Sequence, residues 1–216
     1  KAKKNEKKGN LREAASLYLE VLSHFPKNVR ARQSIDRIRR KQSKLEGKPP
    51  PGGLRSIVEC IKEKRFNSAL QSSIALSTSQ PNNYLLFNLK GVAHLGLNNL
   101  EKAREAFEQV VNLNSTFADG LNNLGHTELL LGNYKNATMY LQQACTLTPE
   151  SYLFWNNLGN ALQQSKRFTE AFSSYNKALT LNEAYAEAHY NLGTNLRSLG
   201  ELNTAITHLK RSIELK

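Results

Sequence analysis

Apolar residues in this chain fall at the three- and four-residue intervals of a helix face. Tyr134, Ala137, Leu141 and Ala144 mark one such face. Leu121, Leu124 and Leu131 mark another just before it. Between the two, Leu131-Gly132-Asn133 breaks the pattern, and its glycine tolerates a positive φ, which predicts a tight turn. Pro149 closes the second helix, because a proline has no N–H to donate to the preceding turn. The local prediction is therefore a pair of antiparallel helices.

This pair recurs. Gly91, Gly125, Gly159 and Gly193 are each 34 residues apart. The same step relates Ala69, Ala103, Ala137, Ala171 and Ala205. It relates Phe107, Leu141, Tyr175 and Leu209, and also Leu100, Tyr134, Phe168 and Leu202. Four columns in one register predict a stack of helix pairs, with glycine and alanine where paired helices cross closely and large residues in the gaps. The pattern predicts units over 84–117, 118–151, 152–185 and 186–216, with a divergent unit over 54–83 that lacks the Leu-Gly pair.

Further back the register breaks. Gly9 to Ala14, Tyr18 and Pro26 read as the turn and second helix of one more partial unit, inside a basic helical segment over 1–48. Pro26 lies 55 residues before Pro81, one repeat plus 21. The insertion holds a basic helix over about 28–46 and the run Lys48-Pro49-Pro50-Pro51-Gly52-Gly53. Three prolines and two glycines cannot continue a helix, so 49–53 is the expected linker. At the other end, the face carrying Ala205, Ile206, Leu209 and Ile213 has no capping helix after it. A stack needs a covered end. The expectation is that the natural protein continues, or that another copy covers this face.

The motifs resemble the tetratricopeptide repeat family. Trp155-Asn156-Asn157-Leu158-Gly159, Ala171 to Tyr175 and Ala178 match its pattern. Leu124-Gly125 with Ala137 and Pro149, and Leu192-Gly193 with Ala205 and Leu209, match in the units on either side. In 84–117, Lys90 replaces the leucine and Ser115 the proline. The resemblance implies an all-α superhelical solenoid of antiparallel helix pairs, whose first helices line a concave groove. It implies a groove lined by Asn122, Asn123, His126, Asn156, Asn157, Asn160, Gln163, Tyr190, Asn191, Thr194 and Arg197.

Asn123, Asn157 and Asn191 again follow the 34-residue step. An asparagine amide offers a donor and an acceptor together, which suits the backbone of an extended peptide. The column resembles the asparagine ladder of protein O-GlcNAc transferases. The front half looks like that of bacterial repeat proteins joined to a sulfotransferase or glycosyltransferase domain. Two readings follow. One is a protein-interaction scaffold that holds an extended peptide or partner helix. The other is the substrate-recruiting front of a larger transferase whose catalytic domain lies outside this chain. A clamp for two carboxylates needs Lys and Arg where this chain has mostly Asn.

Charge changes this picture only at the front. Of the net +12, residues 1–48 supply +10, from 15 Lys/Arg and 5 Asp/Glu. Arg37, Arg39, Arg40, Lys41 and Lys44 form the dense run, the candidate contact for an anionic partner. It has no aromatic residues between the charges, so nucleic acid is not the expected partner. Cys60 and Cys145 suit buried thiols in a reducing compartment, and a cytoplasmic location is expected. No apolar run is long enough to span a membrane. The histidines, at 24, 94, 126, 189 and 208, show no metal-ligand spacing. No phosphate-binding loop, nucleophile elbow or carboxylate pair is present, so no catalytic residue, metal or cofactor is expected within the chain.

Overall fold

The computed structural model describes residues 3, 11–24, 28–46 and 53–215. It divides into two compact units, Lys1–Gly52 and Gly53–Lys216. The described residues are helical, with no strand among them.

In the first unit, α1 (Leu11–His24) packs on α2 (Val29–Glu46). Ala31, Ile35 and Ile38 fall at i, i+4 and i+7 of α2 and are buried, as is Ala14 of α1. Asn28 starts α2, its Oδ1 accepting from the Ala31 N–H at 3.0 Å. The expected Gly9-Asn10 turn, Pro26 and residues 49–52 of the expected linker lie outside the described residues.

The second unit is five helical hairpins in a row. They are α3 (Gly53–Lys62) with α4 (Phe66–Ser77), and α5 (Tyr84–Gly96) with α6 (Leu100–Leu113). Then come α7 (Ala118–Leu130) with α8 (Tyr134–Leu147), α9 (Tyr152–Gln164) with α10 (Phe168–Leu181), and α11 (Ala186–Leu199) with α12 (Leu202–Glu214). Each helix packs on the next in sequence, and each first helix also touches the first helix of the following hairpin. Successive second helices make no contact of that extent among the described residues, so the row bends towards its first helices.

One turn geometry serves all five hairpins. Lys64, Asn98, Gly132, Lys166 and Gly200 have φ of 56°, 57°, 82°, 61° and 86°. They repeat at the 34-residue step, and the divergent first hairpin keeps it. The next N–H bonds back five residues each time: Arg65 to the Cys60 carbonyl at 2.7 Å, Asn99 to His94, Asn133 to Glu128 and Arg167 to Leu162 at 2.9 Å, and Glu201 to Leu196 at 3.0 Å. This is the Schellman closure, which satisfies carbonyls left over at the helix end. A side chain in the left-handed region is strained by about 1–2 kcal/mol. Lys166→Gly is therefore expected to stabilise the array by about 1 kcal/mol, less the entropy that glycine loses on folding. Thermal or denaturant unfolding checks it.

Within each regular hairpin a glycine meets a large residue. A Cβ on Gly159 would lie 2.5 Å from the Tyr175 ring, and one on Gly91 equally close to Phe107. In the first hairpin the equivalent positions are Ile57 and Ser73, buried to 0% and 1% exposure. The volume has moved from the second helix to the first, and the Ser73 hydroxyl is satisfied by the Ala69 carbonyl at 2.7 Å. The core lies in three buried clusters that between them reach from Ile57 to Ala205. It is uncovered at the last hairpin. Ile213 is 72% exposed, whereas Leu179 and Cys145 in the same column are 9% and 2%.

Candidate functional site

The inner side of the row is built from α5, α7, α9 and α11. Their asparagines join neighbouring hairpins in rungs. Asn123 Nδ2 donates to Asn88 Oδ1 at 3.0 Å, Asn157 Nδ2 to Asn122 Oδ1 at 2.9 Å, and Asn191 Nδ2 to Asn156 Oδ1 at 3.0 Å. Each rung spans 35 residues: one 34-residue repeat plus one position, from the second asparagine column of one unit to the first column of the unit before. Asn88 is a ladder member that the sequence reading missed. One repeat back from Asn122 would have found it.

The rungs use one N–H of Asn123, Asn157 and Asn191 and leave each a second N–H, and the carbonyl oxygens of Asn157 and Asn191 accept no bond among the described residues. All three are half-buried. Asn122 turns its amide to Asn123 Oδ1 at 3.5 Å. Asn156 is fully buried, and its amide also donates to Glu187 Oε1 at 3.1 Å. Its place among the groove-lining residues is therefore corrected. It holds two hairpins together and offers nothing to a ligand, because its oxygen and amide both face neighbouring protein groups.

Past the ladder, the Tyr175 hydroxyl reaches Asn160 Oδ1 at 2.9 Å and Gln163 Oε1 at 3.0 Å. Gln163 Nε2 donates to Thr194 Oγ1 at 3.4 Å, and Thr194 donates to the Asn191 carbonyl at 2.8 Å. Asn160, Gln163 and Thr194 thus form one network braced by a tyrosine from α10. Burial holds the Tyr175 hydroxyl well above its usual range, with Glu187 adding to it, so it stays a donor. Tyr190 stands 52% exposed, and Arg197 is exposed with no ion pair among the described residues. His126 is half-buried, and its Nδ1 is buried without a partner. In the first unit, the Arg37 side chain is exposed, while the side chains of Arg39, Arg40, Lys41 and Lys44 lie outside the described residues.

A second feature escaped the sequence reading, which found no paired histidines. His189 Nδ1 lies 2.9 Å from His208 Nδ1, across the last hairpin. His189 Nε2 lies 3.0 Å from the Glu183 carbonyl, which can only accept, so Nε2 carries the proton. His189 Nδ1 is then the acceptor and His208 Nδ1–H the donor. The two are 19 residues apart on different helices, a spacing that sequence alone does not bring together.

Burial lowers the affinity of His208 for a proton, and the neighbouring His189 lowers it further. Burial also lowers His126, with Glu187 opposing, and His94, with Lys90 and Lys102 adding to the effect. A histidine lowered in the fold takes up its proton more readily when unfolded. The stability it supports is complete above its ordinary value of 6.5 and is lost as the pH falls below it. The melting temperature is expected to drop between about pH 7 and pH 5, and His208→Gln is expected to flatten the drop. Melts across that range test it. Cys60 and Cys145 are buried free thiols, and burial pushes Cys145 up to about 12. Among the described residues, no three His, Cys, Asp or Glu side chains gather as for a metal, and no helix is long and apolar enough to cross a membrane.

Family models described as tetratricopeptide repeat match residues 85–117, 118–151 and 150–216. Among curated proteins, the chain is similar to a peroxisomal targeting signal receptor of Candida glabrata. They are 34% identical over 74 residues, 34% of this chain and 12% of the receptor. BBSome complex member BBS4 of Mus musculus is 28% identical over 130 residues, 60% of this chain and 24% of that protein. Tetratricopeptide repeat protein 6 of Homo sapiens is 32% identical over 107 residues, 50% of this chain and 20% of that protein. The chain thus spans a quarter or less of these relatives' lengths. In fold it is similar to MamA. A crystal structure of MamA has a TM-score of 0.66 at 19% identity, covering 73% of this chain and 92% of that one. The 41-end fragment of MamA from Desulfovibrio magneticus RS-1 has a TM-score of 0.68 at 20% identity, covering 75% and 92%.

Proposed function

Because the chain belongs to the tetratricopeptide repeat family, we propose that it is a protein-interaction scaffold whose first-helix groove holds an extended peptide by its backbone. One observation carries the reading. The rungs fix Asn123, Asn157 and Asn191 at successive hairpins; each keeps an N–H to spare, and Asn157 and Asn191 keep an oxygen as well. A row of such amides grips main chain and demands little of side-chain sequence. Tyr190, His126 and Arg197 then supply what selectivity the groove has. The buried free thiols suit a reducing compartment such as the cytoplasm.

A net bond to the peptide is worth about 0.5–1.5 kcal/mol, so three acting together matter. Replacing Asn123, Asn157 and Asn191 by Ala is expected to weaken binding of peptides selected on an array by at least about tenfold. Calorimetry measures it. Unchanged affinity with unchanged helicity removes the groove reading. The reading as the front of a glycosyltransferase or sulfotransferase gains no support from the relatives described above. The open face at Leu202, Ile206 and Ile213 favours a further element of the scaffold, self-stacking of copies. Light scattering that finds a strict monomer at high concentration refutes that element alone.

A further inference from the structure

The second hairpin differs from the others at one joint. In the column where Leu124, Leu158 and Leu192 are 1%, 3% and 0% exposed, it carries Lys90. Lys90 lines a hollow together with Ser73 of α4, which occupies the column that holds Phe107, Leu141 and Tyr175 in later hairpins. A small residue and a long charged one thus meet where the rest of the array packs leucine on a large side chain. The joint is left open. A cleft of about 620 Å³ lies among α4, α5 and α6, walled by Ile74, Phe87, Lys90, His94, Lys102 and Glu105, and an adjoining hollow of about 210 Å³ shares Ile74, Phe87 and Lys90. Two second helices line it, so it is separate from the asparagine ladder.

The walls are built for a particular chemistry. His94 is 8% exposed, and its Nδ1 is buried with no hydrogen-bond partner. A buried polar atom left unpaired is costly unless something supplies the bond. Lys90 and Lys102 have no ion pair among the described residues. Two acids also line the cleft. Glu108 is 3.8 Å from Arg104, and Glu105 only partly offsets the two lysines at His94. The field at the imidazole is therefore net positive. Beside it, Ile74 is 58% exposed and Phe87 half-buried, an apolar shelf. The volume suits a small ligand.

We propose that this cleft is a second binding site, which takes a carboxylate on an aromatic or branched apolar body. The carboxylate sits between the Lys90 ammonium and His94 Nδ1–H, and the apolar body covers Ile74 and Phe87. A free carboxylic acid and the C-terminal residue of a peptide share this chemistry.

The test titrates the full chain with hydrocinnamate, with its uncharged amide, and with acetyl-glycyl-glycyl-phenylalanine, by calorimetry and by NMR of the His94 ring. Hydrocinnamate is expected to bind at least about tenfold tighter than the amide, because the charge-assisted bonds are lost in the latter. Binding is expected to raise the His94 titration midpoint, since the anion favours the imidazolium. Lys90→Leu puts back the residue of the other three hairpins, so it folds, as circular dichroism will check, and it is expected to abolish binding. Binding of the peptide as well identifies a chain terminus as an occupant, and binding of hydrocinnamate alone identifies a free acid. Equal affinity for the amide, unchanged binding in K90L, or no saturable binding of either carboxylate overturns the proposal.

Discussion

Gly159→Ile is expected to destabilise the array by about 3 kcal/mol, and Tyr175→Ser added to it is expected to recover much of that loss. The first change pushes a branched side chain into the Tyr175 ring, which an added Cβ alone would meet at 2.5 Å. The ring cannot swing away freely, because its hydroxyl is held by Asn160 and Gln163. Tyr175→Ser alone leaves a cavity and costs roughly 3–5 kcal/mol, the range for losing a large buried aromatic side chain. Together they recreate the arrangement of Ile57 and Ser73, which the first hairpin packs to 0% and 1% exposure. Coupling of about 2–3 kcal/mol is expected in the double-mutant cycle, measured by denaturant unfolding. Simple additivity would show that the two hairpins do not share one packing rule. The exchange carries its own control in Gly125→Ala. There a single added methyl meets the buried Leu141 Cγ at 2.7 Å and the Ala137 carbonyl at 3.2 Å, and a cost smaller than that of the branched isoleucine is expected.

Asn156→Asp is expected to cost on the order of 3 kcal/mol near pH 7, against about 2 kcal/mol for Asn156→Ala. Alanine removes the acceptor of Asn191 and the donor to Glu187. Aspartate keeps the acceptor and places a second carboxylate where the amide lay 3.1 Å from Glu187. The Glu187 side chain is also held by the Tyr185 hydroxyl on its other oxygen, at 3.1 Å, so it is not free to retreat. A carboxylate buried at position 156 beside the exposed Glu187 has its proton affinity raised, by burial and by the neighbouring like charge, and takes up a proton as the pH falls. The loss in the aspartate variant should therefore shrink as the pH falls, whereas the loss in the alanine variant should not. Unfolding followed at several pH values separates the two. Equal pH dependence in both would sink the account of Asn156 as a neutral tie beside Glu187.

Most of the array was legible because its information is periodic. One step of 34 residues places Gly91 to Gly193, Ala69 to Ala205 and the aromatic and leucine columns, and each lands on the helix that it predicts. The asparagine columns were visible for the same reason. What periodicity hides is compensation. Ile57 and Ser73 each break a column, so the first hairpin reads as degraded, although the two changes cancel in volume and its Lys64 turn has the same backbone form. Cross-unit bonds were hidden too. The partners of the ladder are 35 residues apart, off the 34-residue step, so a column shows which residues are equivalent but not which ones touch. His189 and His208 belong to no shared column. Only the closing of a hairpin brings them together.

The exchanged pair in the first hairpin also bears on how such chains can be cut and rejoined. A crossover at the Lys64, Asn98 or Lys166 turn would leave the backbone intact, because every hairpin has a residue in the same left-handed conformation there. It would nonetheless unite α3 with a later second helix, setting Ile57 against a large side chain, or unite a glycine-bearing first helix with Ser73 and leave a hole. Crossovers between hairpins, in the short segments after α4, α6, α8 and α10, keep each pair with its own partner. Recombination that joins the first hairpin to a later one is thus expected to succeed only where whole hairpins are exchanged, whereas the four regular hairpins, each a glycine against a large residue, share one rule.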